Sequence, residues 1–255
     1  TNALIQRNGA KVGMVTTTGF RDVIEVGYEQ MYDLYDIHLD LPEPLVPRSR
    51  RRPIEERISF DGEVITPLGK EEARTQLSIL ISEGIESIAV CFLHSYTNPE
   101  NEEAMRTLVA EFAPQIPVSI SSEILPEIGE LGRFSTTLAN AYVQPITQRY
   151  LHKMDSRLKA QGIGCNFSVI SSRGKSITLD TAIRFPVRLL ESGPAAGAYS
   201  ASRFARNMGE KNLLSFDMGG TSAKVCLIRN FEAQTTVEFE AARIARFKRK
   251  SGLPI

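Results

Sequence analysis

The chain has 255 residues, 42% of them hydrophobic, enough to bury a sizeable core as one large or two medium domains. Its 30 Lys and Arg balance 30 Asp and Glu, so no excess charge recruits nucleic acid or an anionic membrane. No apolar run reaches the length of a membrane span, the longest being about 85–93, and no basic-then-apolar leader opens the text, so a soluble globular protein is expected. Cys91, Cys165 and Cys226 are odd in number and stand apart in apolar, strand-like text. They read as buried thiols of a reducing cytoplasm, not as a disulfide framework or zinc site. His38, His94 and His152 have no metal-ligand spacing.

From the N-terminus, 11–16 reads as a strand, 17–19 as a turn and 20–26 as the start of a helix. The threonines before Gly19 read as leading into a helix cap in preference to an anion site. Pro42, Pro44 and Pro47 keep 28–53 irregular, and Arg48, Arg50, Arg51 and Arg52 form a basic cluster read as a solvated loop. Asp61-Gly62 predicts a hairpin between 54–58 and 63–65. Ala73, Leu77, Leu80 and Ile81 predict a helix over 69–83 closed by Gly84. A buried strand over 88–93, a helix over 100–112 with Ala104, Leu108 and Phe112 on its stripe, and a strand over 118–120 imply a parallel pair. His94 and Ser95 end a strand where open α/β sheets present ligand contacts. With no acid or base beside them in sequence, they read as structural.

The acidic text of 122–132, broken by Pro126, predicts a domain hinge. A long helix follows over 135–159, with Pro145 starting a new turn or kinking it, then a strand over 166–171 and a polar turn at 172–175. Glu191-Ser192-Gly193-Pro194-Ala195-Ala196-Gly197-Ala198 opens a helix at Pro194, dense in small residues and running to about 208. Small residues let it lie close against a neighbouring backbone, and its N-terminus carries partial positive charge suited to an anion.

The apolar run 213–216 predicts a buried strand ending at Asp217-Met218-Gly219-Gly220-Thr221-Ser222, after which 225–228 begins a second strand. Bare glycines admit backbone N–H groups to an anion, and Thr221 and Ser222 add hydroxyl donors, so the loop suits phosphate oxygens. Asp217 at a strand end can orient Mg²⁺-bound water or accept a proton from an attacking water. A plain Gly-Gly hairpin turn is the alternative, but it needs neither the acid nor the hydroxyls. The loop matches neither the P-loop nor the dinucleotide fingerprint. Beyond it, 235–239 reads as a strand and 243–250 is basic.

The pairing of 191–197 with Ser215-Phe216-Asp217-Met218-Gly219-Gly220-Thr221-Ser222 resembles the hydantoinase/oxoprolinase family. Thr1-Asn2-Ala3-Leu4, the text of 15–23, Phe92-Leu93-His94-Ser95-Tyr96 and the text of 135–142 resemble its other recurring segments. The resemblance implies a ribonuclease H-like α/β fold of the actin, sugar kinase and heat-shock chaperone type, a mixed sheet with flanking helices. It also implies two segments, 1–128 and 129–255, with Asp217 as catalytic and metal residue. Gly219, Gly220, Thr221, Ser222, Ser192 and Gly193 would then bind ATP, with Mg²⁺. The implied activity is ATP-dependent opening of a cyclic amide, of hydantoin or 5-oxoproline type, through phosphorylation of the amide oxygen, in the cytoplasm. The same relatives include ATP-dependent acetone and acetophenone carboxylases, and a non-catalytic nucleotide-binding module is a third reading. A small cyclic amide or ketone, a B-type partner subunit and further copies of the chain are the implied partners. Family members usually carry an earlier Asp-Gly-Gly-Thr loop and a later glycine-rich segment, so an internal fragment that binds ATP weakly on its own is expected. Lys224 stands where many relatives have an acid.

Overall fold

The computed structural model describes residues 1–29, 31–219, 223–236, 238–245 and 247–255. By its contacts the chain forms two compact units, one of Asn2–Arg149 with Glu238–Ile255 and one of Tyr150–Val237 with Thr1.

In the first unit a short helix α1 (Asn2–Ile5) precedes strand β1 (Val12–Thr17), the single-turn helix α2 (Val23–Val26) and strand β2 (Arg51–Ile54). A hairpin of β3 (Arg57–Ile58) and β4 (Val64–Thr66) follows, then helix α3 (Lys70–Ser82), β5 (Ser87–Cys91), helix α4 (Glu100–Phe112), β6 (Val118–Ile120) and a short α5 (Ser121–Ile124). Helix α6 (Glu130–Ala160) contains Pro145, and the two units divide within it. The sheet runs β2-β1-β5-β6, parallel throughout, with Met14 opposite both Arg51 and Ala89. Strands β1 and β5 are buried at every residue, which is why they read as near-continuous apolar text instead of alternating. Ala73, Leu77 and Leu80 of α3 and Met105, Leu108 and Val109 of α4 complete a core with Val15, Ile54, Ile88, Val90 and Phe92.

Three expectations are corrected here. The basic cluster is no solvated loop: Arg51 starts β2, is 2% exposed and pairs with Glu25, while Pro53 is accommodated because β2 is an edge strand. Phe112 is about half exposed, and the buried stripe of α4 runs instead through Asn101, Glu102, Met105, Leu108 and Val109. Thr17 neither caps a helix nor faces an anion. Its buried hydroxyl accepts the Leu93 N–H at 2.8 Å and donates to Glu56. Gly62 has φ 91° at the turn Asp61-Gly62, and Gly84 has φ 73° after α3, as those turns require.

Buried polar side chains fix the C-terminal ends of these strands. Glu102 is fully buried and accepts from Phe92 N (3.0 Å), Ser121 Oγ (2.6 Å) and Ser122 N (2.8 Å). Arg133, equally buried, donates to Ser121 Oγ and Phe92 O, each at 3.2 Å. Burial raises the Glu102 carboxyl despite these donors.

The second unit contains the hairpin β7 (Ser168–Ile170) and β8 (Ser176–Thr178), helix α7 (Leu179–Arg184), helix α8 (Ser192–Met208) and strands β9 (Asn212–Met218), β10 (Ala223–Arg229) and β11 (Glu232–Ala233). The last three form an antiparallel sheet in the order β11-β10-β9. Near the C-terminus β12 (Glu240–Ala241) pairs with β13 (Leu253–Pro254) and begins just past the strand expected over 235–239, of which Val237 lies outside the described residues. All three cysteines are free, but only Cys91 is buried; Cys165 is exposed and Cys226 half-buried. Among the described residues no helix is long and apolar enough to cross a membrane.

Candidate functional site

The β9–β10 hairpin carries the acid and one end of the glycine loop. Its register sets Asp217 opposite Lys224, Phe216 opposite Val225 and Met218 opposite Ala223. Asp217 is exposed, one residue before β9 ends, and Gly219 follows it. Gly220, Thr221 and Ser222 lie outside the described residues. The expectation of a buried strand needs correction: one face of the hairpin is exposed, with Leu214 at 61%, Phe216 at 60% and Met218 at 72%.

Helix α8 packs against this sheet through Ala198, Ser202 and Ala205, its buried residues at i, i+4 and i+7. Small side chains there bring helix and strand backbones close. The helix begins at Ser192, two residues before Pro194. Pro194 is tolerated in the first turn because its missing N–H has no intrahelical partner at that position in any helix. Glu191, the residue before the helix, is left-handed at φ 58°, and its carboxylate pairs with Lys224. That ion pair ties the start of α8 to the mouth of the hairpin. Burial lowers the Lys224 ammonium from its ordinary value.

The structure therefore brings Ser192 and Gly193 to the same end of the unit as Asp217 and Gly219, through Glu191 and Lys224. Sequence reading did not single out Glu191; an acid directly before a helix whose first turn holds Gly and Pro was the available signal. A Cβ added at Gly193, Gly197 or Gly219 would meet no described atom within 4 Å, and none of the three has positive φ. Glycine inside a helix is unfavourable by about 1 kcal/mol relative to Ala. Among the described residues neither packing nor backbone geometry requires it at Gly193 or Gly197, and bare backbone there leaves room for close approach.

This donor set fits a nucleotide phosphate with Mg²⁺. Mg²⁺ typically takes one or two protein carboxylates and completes its shell with phosphate oxygens and water, and Asp217 supplies one exposed carboxylate. Among the described residues no cluster of three or more His, Cys, Asp or Glu side chains could hold a metal unaided. At the other expected position, Ser95 Oγ donates to Phe92 O at 2.8 Å, as a structural residue does. His94 adopts φ 57°, stacks edge-on to Tyr96, and its buried Nδ1 has no hydrogen-bond partner among the described residues.

Family comparison matches residues 1–113 to the hydantoinase/oxoprolinase N-terminal region and residues 133–250 to the hydantoinase/oxoprolinase family. An uncharacterised protein of Methanocaldococcus jannaschii is 37% identical over 251 residues, covering 97% of this chain and 37% of that protein. The crystal structure of an ATP-dependent caprolactamase from Pseudomonas jessenii superposes with TM-score 0.81 at 31% identity, over 89% of this chain and 33% of the other. A nucleotide-free acetone carboxylase, from work on ATP-dependent acetone carboxylation, superposes with TM-score 0.80 at 31% identity, over 91% and 34%. The chain thus spans about a third of the length of the relatives it matches.

Proposed function

Because the chain belongs to the hydantoinase/oxoprolinase family, we propose that it is the part of an ATP-dependent cyclic-amide hydrolase that holds nucleotide phosphate at the β9–β10 loop. The observation that carries this is the convergence of the Asp217 hairpin and the bare start of α8, tied by the Lys224–Glu191 pair. In the proposal Gly193 and Gly219 admit phosphate to backbone N–H groups, with Ser192 beside them and Gly220, Thr221 and Ser222 completing the loop. Asp217 holds Mg²⁺ or its water. The γ-phosphoryl group of ATP would pass to the amide oxygen, its bond to the β-phosphate oxygen breaking and ADP leaving, which turns an unreactive ring amide into an activated acyl centre.

The ribonuclease H-like class, the segments 1–128 and 129–255, the cytoplasmic setting, a B-type partner subunit and association with further copies belong to the same proposal. A ketone carboxylase is the second reading, favoured by a superposition on acetone carboxylase as good as that on caprolactamase. Lys224, opposite Asp217, is held by Glu191 and positions the start of α8 in either reading.

The test is Mg·ATP binding and phosphate release, by this chain alone and joined to the remainder its relatives possess. The outcome expected is weak binding by the chain alone, and in the joined protein lactam-stimulated release that Asp217→Asn lowers at least 100-fold with the thermal transition unmoved, a few kcal/mol of transition-state electrostatics. Stimulation by acetone with bicarbonate, and not by lactam, selects the carboxylase. Full turnover in Asp217→Asn makes Asp217 structural.

A further inference from the structure

A second concave site lies within the unit of Asn2–Arg149 and Glu238–Ile255. Its volume is about 280 Å³, and its walls come from α2 and the segment after it, from one stripe of α6, and from the β12–β13 hairpin. Ile24, Val26, Leu41, Pro44 and Leu253 make it mainly apolar. Leu131, Ser135 and Leu138, spaced i, i+4 and i+7, present one helical face to it.

Ser135 is the exception on that face. It opens the run Ser135-Thr136-Thr137, in which Thr136 Oγ1 donates to Gly132 O at 2.8 Å and Thr137 Oγ1 to Arg133 O at 2.7 Å. The Ser135 hydroxyl has no such bond among the described residues, although it lies on the wall of an apolar cavity. Ser135 is partly exposed, so its hydroxyl is open to water or to a ligand in the cavity.

Among the described residues the one wall charge with no ion-pair partner is the anion Glu29; the others are engaged. Glu25 pairs with Arg51, and Glu240 accepts from Arg243 Nε at 3.0 Å and Lys250 N at 2.8 Å. The Lys250 ammonium stands 5.1 Å over the Tyr28 ring. A polyanion such as a nucleotide finds no free countercharge here, whereas an uncharged ring with one carbonyl fits the volume, the apolar lining and the hydroxyl donor that Ser135 adds on α6 beside the Tyr28 wall.

We propose that this cavity binds a small uncharged cyclic amide or ketone, with the Ser135 hydroxyl donating to its carbonyl oxygen and Ile24, Val26, Leu138 and Leu253 enclosing the ring. The chemical class of the ligand rests on the proposed function; the place and the donor rest on the cavity. Ser135 here is a binding residue, and no bond is made or broken by it.

The experiment titrates caprolactam, without nucleotide, onto the isotopically labelled chain and follows amide shifts. The parent chain, Ser135→Ala and Val26→Trp are compared, with benzene as a probe lacking the carbonyl. Val26 is about half exposed, so Trp there can fill the mouth without overpacking the core. Saturable shifts at α2, α6 and β12–β13 are expected, with caprolactam weakened about three- to tenfold by Ser135→Ala, benzene unaffected by it, and both lost in Val26→Trp. No saturable shift in the folded parent chain, an affinity that Ser135→Ala leaves unchanged, or benzene binding without caprolactam binding would each overturn the proposal. The two readings fail separately. Asp217-dependent, lactam-stimulated turnover with an empty cavity places the ring elsewhere, whereas Ser135-dependent lactam binding with full turnover in Asp217→Asn removes the nucleotide assignment alone.

Discussion

Glu56 shows how a single side chain can couple the parallel sheet to pH. It is 3% exposed, accepts from Thr17 and from Asn101 Nδ2 at 2.8 Å, and is reached only through contacts distant in sequence. Burial raises its carboxyl above the ordinary value, outweighing the two hydrogen bonds that lower it. The folded chain therefore binds this proton more tightly than the unfolded chain. Its contribution to stability is full below the ordinary carboxylate range and is lost as pH rises through the raised folded value. Denaturant midpoints from about pH 5 to about pH 7 should fall more steeply in the parent chain than in Glu56→Gln. Glutamine loses a hydrogen bond at every pH, so the slope and not the level is the readout. Equal slopes would mean that the charged form is as well accommodated as the neutral one.

Helix α8 is the element on which the two readings of its glycines diverge. A glycine held for structure has a backbone angle or a contact that Ala cannot accept, and substitution lowers stability. Gly193 and Gly197 have neither, being inside a helix and open to space. Gly197→Ala should therefore stabilise by about 1 kcal/mol, and Gly193→Ala in the first turn by about 0.5 kcal/mol. A nucleotide dissociation constant raised in Gly193→Ala at an unlowered midpoint supports close approach of phosphate to the start of the helix. A lowered midpoint with unchanged affinity of the folded protein returns that glycine to structure.

For the whole molecule, the chain's apolar surface is unevenly covered. In the unit of Tyr150–Val237, Leu214, Phe216 and Met218 on β9 alternate outward with Val225 and Leu227 on β10, all exposed, while the opposite face packs on α8. An apolar patch of this kind favours association. Sedimentation velocity is expected to show concentration-dependent self-association that Phe216→Lys reduces without lowering the denaturant midpoint. A chain that stays monomeric at all accessible concentrations would show that this face does not drive contact between copies.

Much of this was legible in order along the chain. The helix over 100–112, the helix closing at Gly84, the Asp61-Gly62 turn and the β9–β10 hairpin were readable because each rests on periodicity or turn chemistry within a few residues. The acid and glycines that nominate the phosphate loop are local in the same sense. Only the tertiary structure decided that Arg51 is buried, that Glu102 and not Phe112 faces the core, and that Glu191 reaches Lys224. It alone left Ser135, of three adjacent hydroxyls, turned to an apolar cavity. Burial of a charge depends on which distant partner arrives to compensate it, and a cavity on walls supplied by segments far apart in the chain. Neither is written in the spacing of any one stretch.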